Sequence, residues 1–494
     1  MTGLFRAVRA RSACLALTVS AAILPAAEQA AAQASAASQA HIARVEQNLL
    51  PTVRVRGRVY APKRLPELMR EYDVPAVSIA VINDGQIEWV RSYGLADSAS
   101  QRPATPQTLF QAASISKPVA AMGALDLVED KRLALDEAVN AQLVDWKIPQ
   151  NAFTESRPVT LRHLLTHTAG LTVHGFPGYA QGTPLPTVRQ ILEGTPPANT
   201  GPVIVDQSPG QTYRYSGGGF TVLQMLMEDV TGKPFAKLMA KRVLRPLGMT
   251  SSSYALALPN SWRSRIATGY RSDGTPVPGL FHTYPEMAAA GLWTTPSDLA
   301  RWVIAVQDAL AGRSERVLTQ AMTAAMLTPG AGNRGLGLEV TAADDALRFS
   351  HGGANEGFRA MMIGFARRGQ GAVVMTNSDR GREVILPLIQ AIAADYGWPG
   401  NEPKIITPAK VDPAALRQVV GRYAAPAIVV TVAVKPAADA LTFSTSDGDM
   451  LELIPQGDDA FVDTTSGALI RFTRDGLRKV TGLEAAGTTL ERVP

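Results

Sequence analysis

Ser114 and Lys117 stand three residues apart in the stretch Ala113-Ser114-Ile115-Ser116-Lys117. On a helix, residues i and i+3 lie on one face with Cβ atoms about 5–6 Å apart. A serine hydroxyl held there beside a lysine amine is a nucleophile next to a base. The following residues read as a buried helix over 114–131, because Val119, Met122, Leu125 and Val128 recur every third position among alanines. Pro118 fits its first turn, where no N–H is required. The free N–H groups and positive dipole end of such a helix start suit a developing oxyanion.

Three other stretches could carry chemistry. Tyr213-Arg214-Tyr215-Ser216-Gly217-Gly218-Gly219 reads as a glycine-rich loop before a helix, where a tyrosine can face a ligand. Ser350-His351-Gly352-Gly353-Ala354-Asn355 follows an apolar strand and offers a polar side chain with open backbone N–H groups. In 161–171, His163 and His167 at i and i+4 imitate a metal pair. No glutamate lies between them and no acidic third ligand is near, so neither a metal nor another cofactor is expected.

The elements that must position these residues are legible in outline. A short helix over 65–71 precedes a strand over 77–82, a tight turn at Asn83-Asp84-Gly85 and a return strand over 86–93, a β-hairpin. Helical pieces are expected at 159–166, 187–192 and 219–230, with proline- and glycine-rich loops at 175–186 and 194–210. Thr295-Pro296-Ser297-Asp298-Leu299 is a helix start. Strands return at 336–340, 348–350, 361–365 and 372–376, and a helix over 386–396 follows. Strands at both ends with helices between them predict an α/β (α+β) domain over 60–398, an antiparallel sheet flanked by helices with an inserted helical lobe. Prolines at 399, 403, 408 and 413 mark a linker. Beyond 415, strand starts at 428, 441, 450, 460 and 468, punctuated by Asp447-Gly448, Ser466-Gly467 and Asp475-Gly476, predict a small antiparallel β-barrel over 415–494. Residues 35–60 read as a loose lead-in.

The chain's 494 residues, 46% hydrophobic and 18% charged, allow two to four domains with sizeable cores. A net charge of +5 over this length, with no basic stripe interleaved with aromatics, does not argue for nucleic acid, and no nucleic-acid partner is expected. Residues 1–34 read as a secretory signal: Arg6, Arg9 and Arg11, an apolar run from Ala13 to Leu24, and an A-x-A site at Ala32-Gln33-Ala34. That run is too short to span a bilayer and no later run approaches ~18 apolar residues, so the mature protein is expected without a membrane anchor. The only cysteine, Cys14, lies inside this leader. An exported chain without mature cysteines suits a bacterial periplasm or secretion.

Ser114-Ile115-Ser116-Lys117, then Tyr215, then His351-Gly352-Gly353, resembles the ordered motif triple of the serine β-lactamase-related hydrolases. These are the class C β-lactamases, D,D-peptidases, D-aminopeptidases and β-lactamase-like esterases. The S-x-x-K element is a known signature of this group. The phrases at 74–81, 164–171 and 295–299 are similar too, and the resemblance covers roughly 60–395. The tail resembles the small β-barrel that some members carry. The resemblance implies Ser114 as nucleophile and Lys117 with Tyr215 sharing base and acid roles. It also implies an oxyanion hole at the N–H groups of Ser114 and Ala354, with Gly352, Gly353 and position 217 among the substrate-binding residues and His351 on the opposite wall, orienting the substrate or the tyrosine. Two departures stand out: His-Gly-Gly replaces the usual Lys-Thr-Gly, and Gly217 replaces the asparagine that holds a substrate's amide arm. A glycine there is expected to leave open space.

These features point to a small-molecule ester or amide as substrate, with peptidoglycan-derived compounds among the candidates. Ester hydrolysis ranks first, D-amino-acid peptide cleavage second and β-lactam hydrolysis third. An α/β-hydrolase would need G-x-S-x-G, which is not found. The reading from another class is a non-catalytic cell-wall binding protein, against which the intact Ser114, Lys117 and Tyr215 stand.

Overall fold

The structure, a computed structural model, describes residues 36–341, 344–425, 428–435, 440–445, 450–485 and 488–494. The leader expected at 1–34 lies outside the described residues. The segment taken as a loose lead-in is ordered: it forms α1 (Ala36–Gln47) and β1 (Val53–Val55). Ile42, Val45 and Leu49 recur on one face of that segment and are buried in the core, a helical period that its Ala/Gln/Ser composition concealed.

After α2 (Leu65–Glu71) come β2 (Ala76–Asn83), β3 (Gln86–Asp97), β4 (Arg102–Pro103) and β5 (Phe110–Gln111). A 3-10 turn, Ala113–Ile115, leads into α3 (Ser116–Glu129). The lobe that follows contains α4 (Ala152–Ser156), α5 (Leu161–Leu165), α6 (Val188–Glu193), α7 (Gly217–Thr231), α8 (Phe235–Met239) and α9 (Met287–Ala290). The chain then returns through β6 (Trp293–Thr294), α10 (Pro296–Leu310), α11 (Gln320–Met326), β7 (Glu339–Thr341), β8 (Arg348–Asn355), β9 (Phe358–Phe365), β10 (Gln370–Thr376) and α12 (Arg382–Asp395).

The main sheet has the order β4-β3-β2-β10-β9-β8-β7. Its named ladders are antiparallel, and the N- and C-terminal parts meet where β2 pairs with β10. β2 is apolar on both faces because both are covered. Val77, Ile79 and Val81 pack with α1, α2 and α12, whereas Ala76, Ala80 and Ile82 belong to the larger core under α10 and the lobe. Helix α3 is buried almost all round, as a helix without a polar face must be. Gly123 lets Met239 and Met227 approach it, since a Cβ there would lie 2.7 Å from the Met239 sulfur.

Beyond the hydrolase-like part, β11 (Lys404–Ile406) pairs in parallel with β1. Helix α13 (Pro413–Gln418) then precedes a closed eight-stranded barrel, β12 (Gly421–Ala425) to β19 (Thr488–Val493). Its interior is filled by side chains such as Tyr423, Phe461, Phe472 and Leu483. Val53, Val55 and Ile406 pack with Ala440, Ile454 and Val462 of the barrel, and Arg58 pairs with Glu452. The 49–60 segment therefore clasps the barrel from the N-terminal side. No helix among the described residues is long and apolar enough to cross a membrane.

Candidate active site

Ser114 sits in the 3-10 turn rather than in the helix. Ala113, before it, holds a left-handed φ of 50°, a conformation that costs a non-glycine residue energy and is found where neighbours enforce it. The neighbour packed against this turn is β8. A Cβ on Gly353 would lie 2.3 Å from the Ala112 carbonyl oxygen, so only glycine lets the strand pass this close. β8 runs on through His351, Gly352 and Gly353 to Asn355 instead of ending before them. Gly352 and Ala354 face outward and are exposed, while His351, Gly353 and Asn355 point in.

Ser114 is the one partly exposed residue in the buried run 108–125. Lys117, 2% exposed, donates from Nζ to Ser114 Oγ at 3.0 Å and to the Ala289 carbonyl at 2.8 Å. The same nitrogen lies 4.9 Å from the Tyr215 ring centroid and 5.8 Å from that of Phe220. No carboxylate among the described residues forms an ion pair with it. The amine is thus aimed by α9, whose Ala289 carbonyl fixes Nζ and whose Ala290 carbonyl accepts from Asn355 Nδ2 at 3.1 Å. Ser116 braces the backbone instead. Its Oγ accepts from Leu292 N–H and its carbonyl from the Tyr254 hydroxyl.

Tyr215 is surrounded by three imidazoles. His167 stacks on it at 4.3 Å and 29°, His174 tilts against it at 4.9 Å, and His351 stands at 6.3 Å. His351 donates Nδ1–H to the Gly352 carbonyl at 2.6 Å, which leaves Nε2 as the bare nitrogen, buried and without a partner. His167 has the opposite tautomer. Its Nδ1 accepts from Ser216 N–H at 3.1 Å, so the proton is on Nε2. Burial, then the Lys117 charge, hold His351 down at about 3 and His167 well below the usual imidazole value. Both are neutral at physiological pH. The stability each contributes is present above the unfolded value of about 6.5 and lost as pH falls from there toward the folded value.

The structure thus brings Ser114, Lys117, Tyr215 and His351 together. It also corrects two expectations. Gly217, Gly218 and Gly219 are not a loop but the first turn of α7, capped by the Ser216 hydroxyl on Gly219 N–H. Nor does Gly217 leave open space. Its N–H donates to the His174 carbonyl, and a Cβ would lie 3.0 Å from the Phe176 ring and 3.1 Å from that carbonyl oxygen. The segment 172–176 fills the place an asparagine side chain would take. Gly217→Asn is therefore expected to lower stability by about 1–3 kcal/mol through overpacking. It should leave the nitrocefin to p-nitrophenyl butyrate ratio of kcat/KM unchanged. Thermal melts and paired kinetics check this, and a tenfold rise of that ratio would show that the position can hold an amide.

His163 and His167 do not form a pair. His163 caps α5 through Nδ1 and Thr160 N–H, while α5 ends at Leu165 and the chain turns at His167, φ 56°. Among the described residues no group of three potential metal ligands occurs. Sequence reasoning weighed His167 only as half of a metal pair, and it passed over His174 and the Ala289 carbonyl. The phrase at 164–171 was the available signal for His167, and a backbone carbonyl leaves none.

The family model described as Beta-lactamase matches residues 62–394. Among curated proteins, Esterase EstB of Burkholderia gladioli is 32% identical over 245 residues, 47% of this chain and 60% of that protein. A D-aminopeptidase of Brucella anthropi is 26% identical over 346 residues, 67% of this chain and 61% of that protein. The chain thus spans about three-fifths of these relatives' length. Among solved structures, SurE with D-Leu matches with a TM-score of 0.56 at 24% identity, covering 87% of this chain and 97% of that one. A class C beta-lactamase matches with a TM-score of 0.54 at 22% identity, covering 67% and 93%. At these identities the two structures speak for the fold.

Proposed function

The chain belongs to the beta-lactamase family, and on that premise we propose that it is a serine hydrolase working through an acyl-enzyme on Ser114, with esters as its preferred substrates. The observation that carries this reading is the 3.0 Å contact of Lys117 Nζ with Ser114 Oγ beside the Tyr215 ring. In the first step Oγ attacks the substrate carbonyl carbon and its proton passes to the Lys117–Tyr215 pair. The carbonyl electrons return as the C–O bond to the alcohol breaks, and the alcohol leaves with that proton. Water then attacks the acyl-enzyme, gives a proton to the same pair, and Oγ departs and recovers it. The N–H groups of Ser114 and Ala354 are the proposed oxyanion donors, on the turn and strand that Gly353 lets meet.

The ester preference rests on the filled space at Gly217 and on a neutral His351 where the β-lactamase pattern has a lysine. A second reading, cleavage of carboxylate-bearing D-peptides, is favoured by one observation. The Arg334 guanidinium lies over the Tyr213 ring at 5.0 Å, with its Nε buried and unpartnered and Glu339 no closer than 3.7 Å. Kinetics on p-nitrophenyl butyrate, D-alanyl peptides and nitrocefin test the order. The expected ranking by kcat/KM is ester, D-peptide, β-lactam, and a native enzyme that favours nitrocefin over the ester would sink the esterase reading. The pattern of residues 1–34 supports export to the periplasm or medium. Mass spectrometry of the mature protein is expected to find an N-terminus near residue 35, and an intact Met1 would refute it.

A further inference from the structure

We infer that His167 is the positioning residue for Tyr215, holding the phenol in register with Lys117 through the two peptide groups that flank it. This inference rests on the hydrolase reading above and adds to it a residue outside the motif triple. Three contacts carry it. The His167 carbonyl accepts from Arg214 N–H at 2.8 Å, on one side of Tyr215. Its Nδ1 accepts from Ser216 N–H at 3.1 Å, on the other side. Its ring stacks on the phenol ring itself. One residue thus grips the backbone before and after Tyr215 and the side chain between.

The conformation of His167 makes this grip possible. At φ 56° the chain reverses directly after α5, which turns both the carbonyl and the ring toward 214–216. That backbone region is unfavourable for a residue with a Cβ, least so for asparagine, aspartate and histidine. The ring is 3% exposed, and its Nε2–H has no partner. An apolar ring would avoid that desolvation cost, yet it could not accept from Ser216 N–H. The charged or titratable groups that face the ring are Lys117, His351, Arg334 and His174, with the Tyr215 and Tyr213 phenols packed against it, and none is a carboxylate. They favour the neutral ring, and only the neutral ring can keep Nδ1 as an acceptor. The grip therefore persists over the whole neutral range.

The test uses the full-length protein with three variants. His167→Phe keeps a ring for the stack and removes the acceptor. His167→Asn keeps an acceptor near the place of Nδ1 and tolerates the left-handed backbone, but removes the stack. His167→Ala removes both. Titration with a fluorophosphonate counts active sites, and kcat and KM per active site are measured on p-nitrophenyl butyrate from pH 5 to 10. Small misplacements of a catalytic group cost up to about 100-fold. His167→Phe and His167→Ala should each lose about that much in kcat per site, with KM little changed and the pH profile displaced. His167→Asn should recover about tenfold or more of the loss. A His167→Phe enzyme with native kcat per site and a native pH profile, altered only in melting temperature or active fraction, would reduce His167 to a core residue and overturn the inference. If His167→Phe does not fold, equal per-site kcat in the Asn and Ala variants overturns it equally. Native protein that the phosphonate does not label would instead refute the hydrolase reading.

Discussion

Replacing Ser114 by alanine is expected to reduce turnover by about 10⁴–10⁶-fold, the range seen when the nucleophile of an acyl-transfer enzyme is removed. The hydroxyl is the group that Lys117 Nζ touches at 3.0 Å, and the serine is the exposed point of a buried run. Without Oγ no acyl-enzyme forms, so labelling by a fluorophosphonate should vanish together with esterase turnover. Ser116 is the internal control, because its side chain is also a hydroxyl and lies two residues away. Ser116→Ala strands the buried N–H of Leu292, which costs about 1–3 kcal/mol of stability. It should melt earlier yet keep its per-site turnover. Equal loss of activity in the two variants, or full activity in Ser114→Ala, would mean that the nucleophile has been misassigned.

Lys117 gives the second large effect. Lys117→Met preserves length and apolar packing but removes the amine, and a positioned base is worth about 10²–10⁴-fold, or ~3–5 kcal/mol at the barrier. Lys117→Arg separates the two jobs a lysine can do. Arginine keeps the positive charge but cannot take up a proton. If the amine acts as a base, both variants lose activity alike. If it acts only through its charge, Lys117→Arg should retain much of the rate. Phosphonate acylation rates measured alongside melting temperatures distinguish these cases from simple unfolding. The Ala289 carbonyl loses its partner in Lys117→Met, so a modest drop in melting temperature accompanies the kinetic loss.

The contact between Ser114 and Lys117 was legible because it is local. Ser114 and Lys117 are three residues apart, and the apolar repeat after them announces a buried helix whatever surrounds it. Tyr215 and His351 were legible through their flanking glycines, but what those glycines do was not. A glycine in a sequence can mean emptiness or close approach. At Gly217 and Gly353 the structure shows close approach, by His174, Phe176 and Ala112. The hairpin strands were found because an apolar run and its return flank the Asn83-Asp84-Gly85 turn. The first strand of the barrel and its last two, starting at 421, 480 and 488, were missed. The strand expected at 336–340 begins at Glu339 instead. There the chain first passes beneath α3, with Gly337 at φ 91° and no room for a Cβ against Ala121. His167 misled for a geometric reason: i, i+4 spacing aligns two rings only if the helix continues, and α5 stops two residues before His167.

The seam between β2 and β10 sets when the candidate site can assemble. Ile82 pairs with Gly371 and Val77 with Thr376, so the central ladder joins residues from opposite ends of the hydrolase-like region. Closing so long a loop adds little to the equilibrium cost, which grows only with the logarithm of its length. It weighs on the rate instead, because distant pairings are found slowly. During synthesis β2 has only β3 as a partner, and an apolar strand waits with one edge bare. The strand that carries His351 lies three places across the same sheet from β2, beyond β10 and β9. The sheet that carries His351 to Ser114 is therefore complete only after residue 376 has docked. Until then the bare edge of β2 is an aggregation hazard, and the last strand of the sheet to be made covers it.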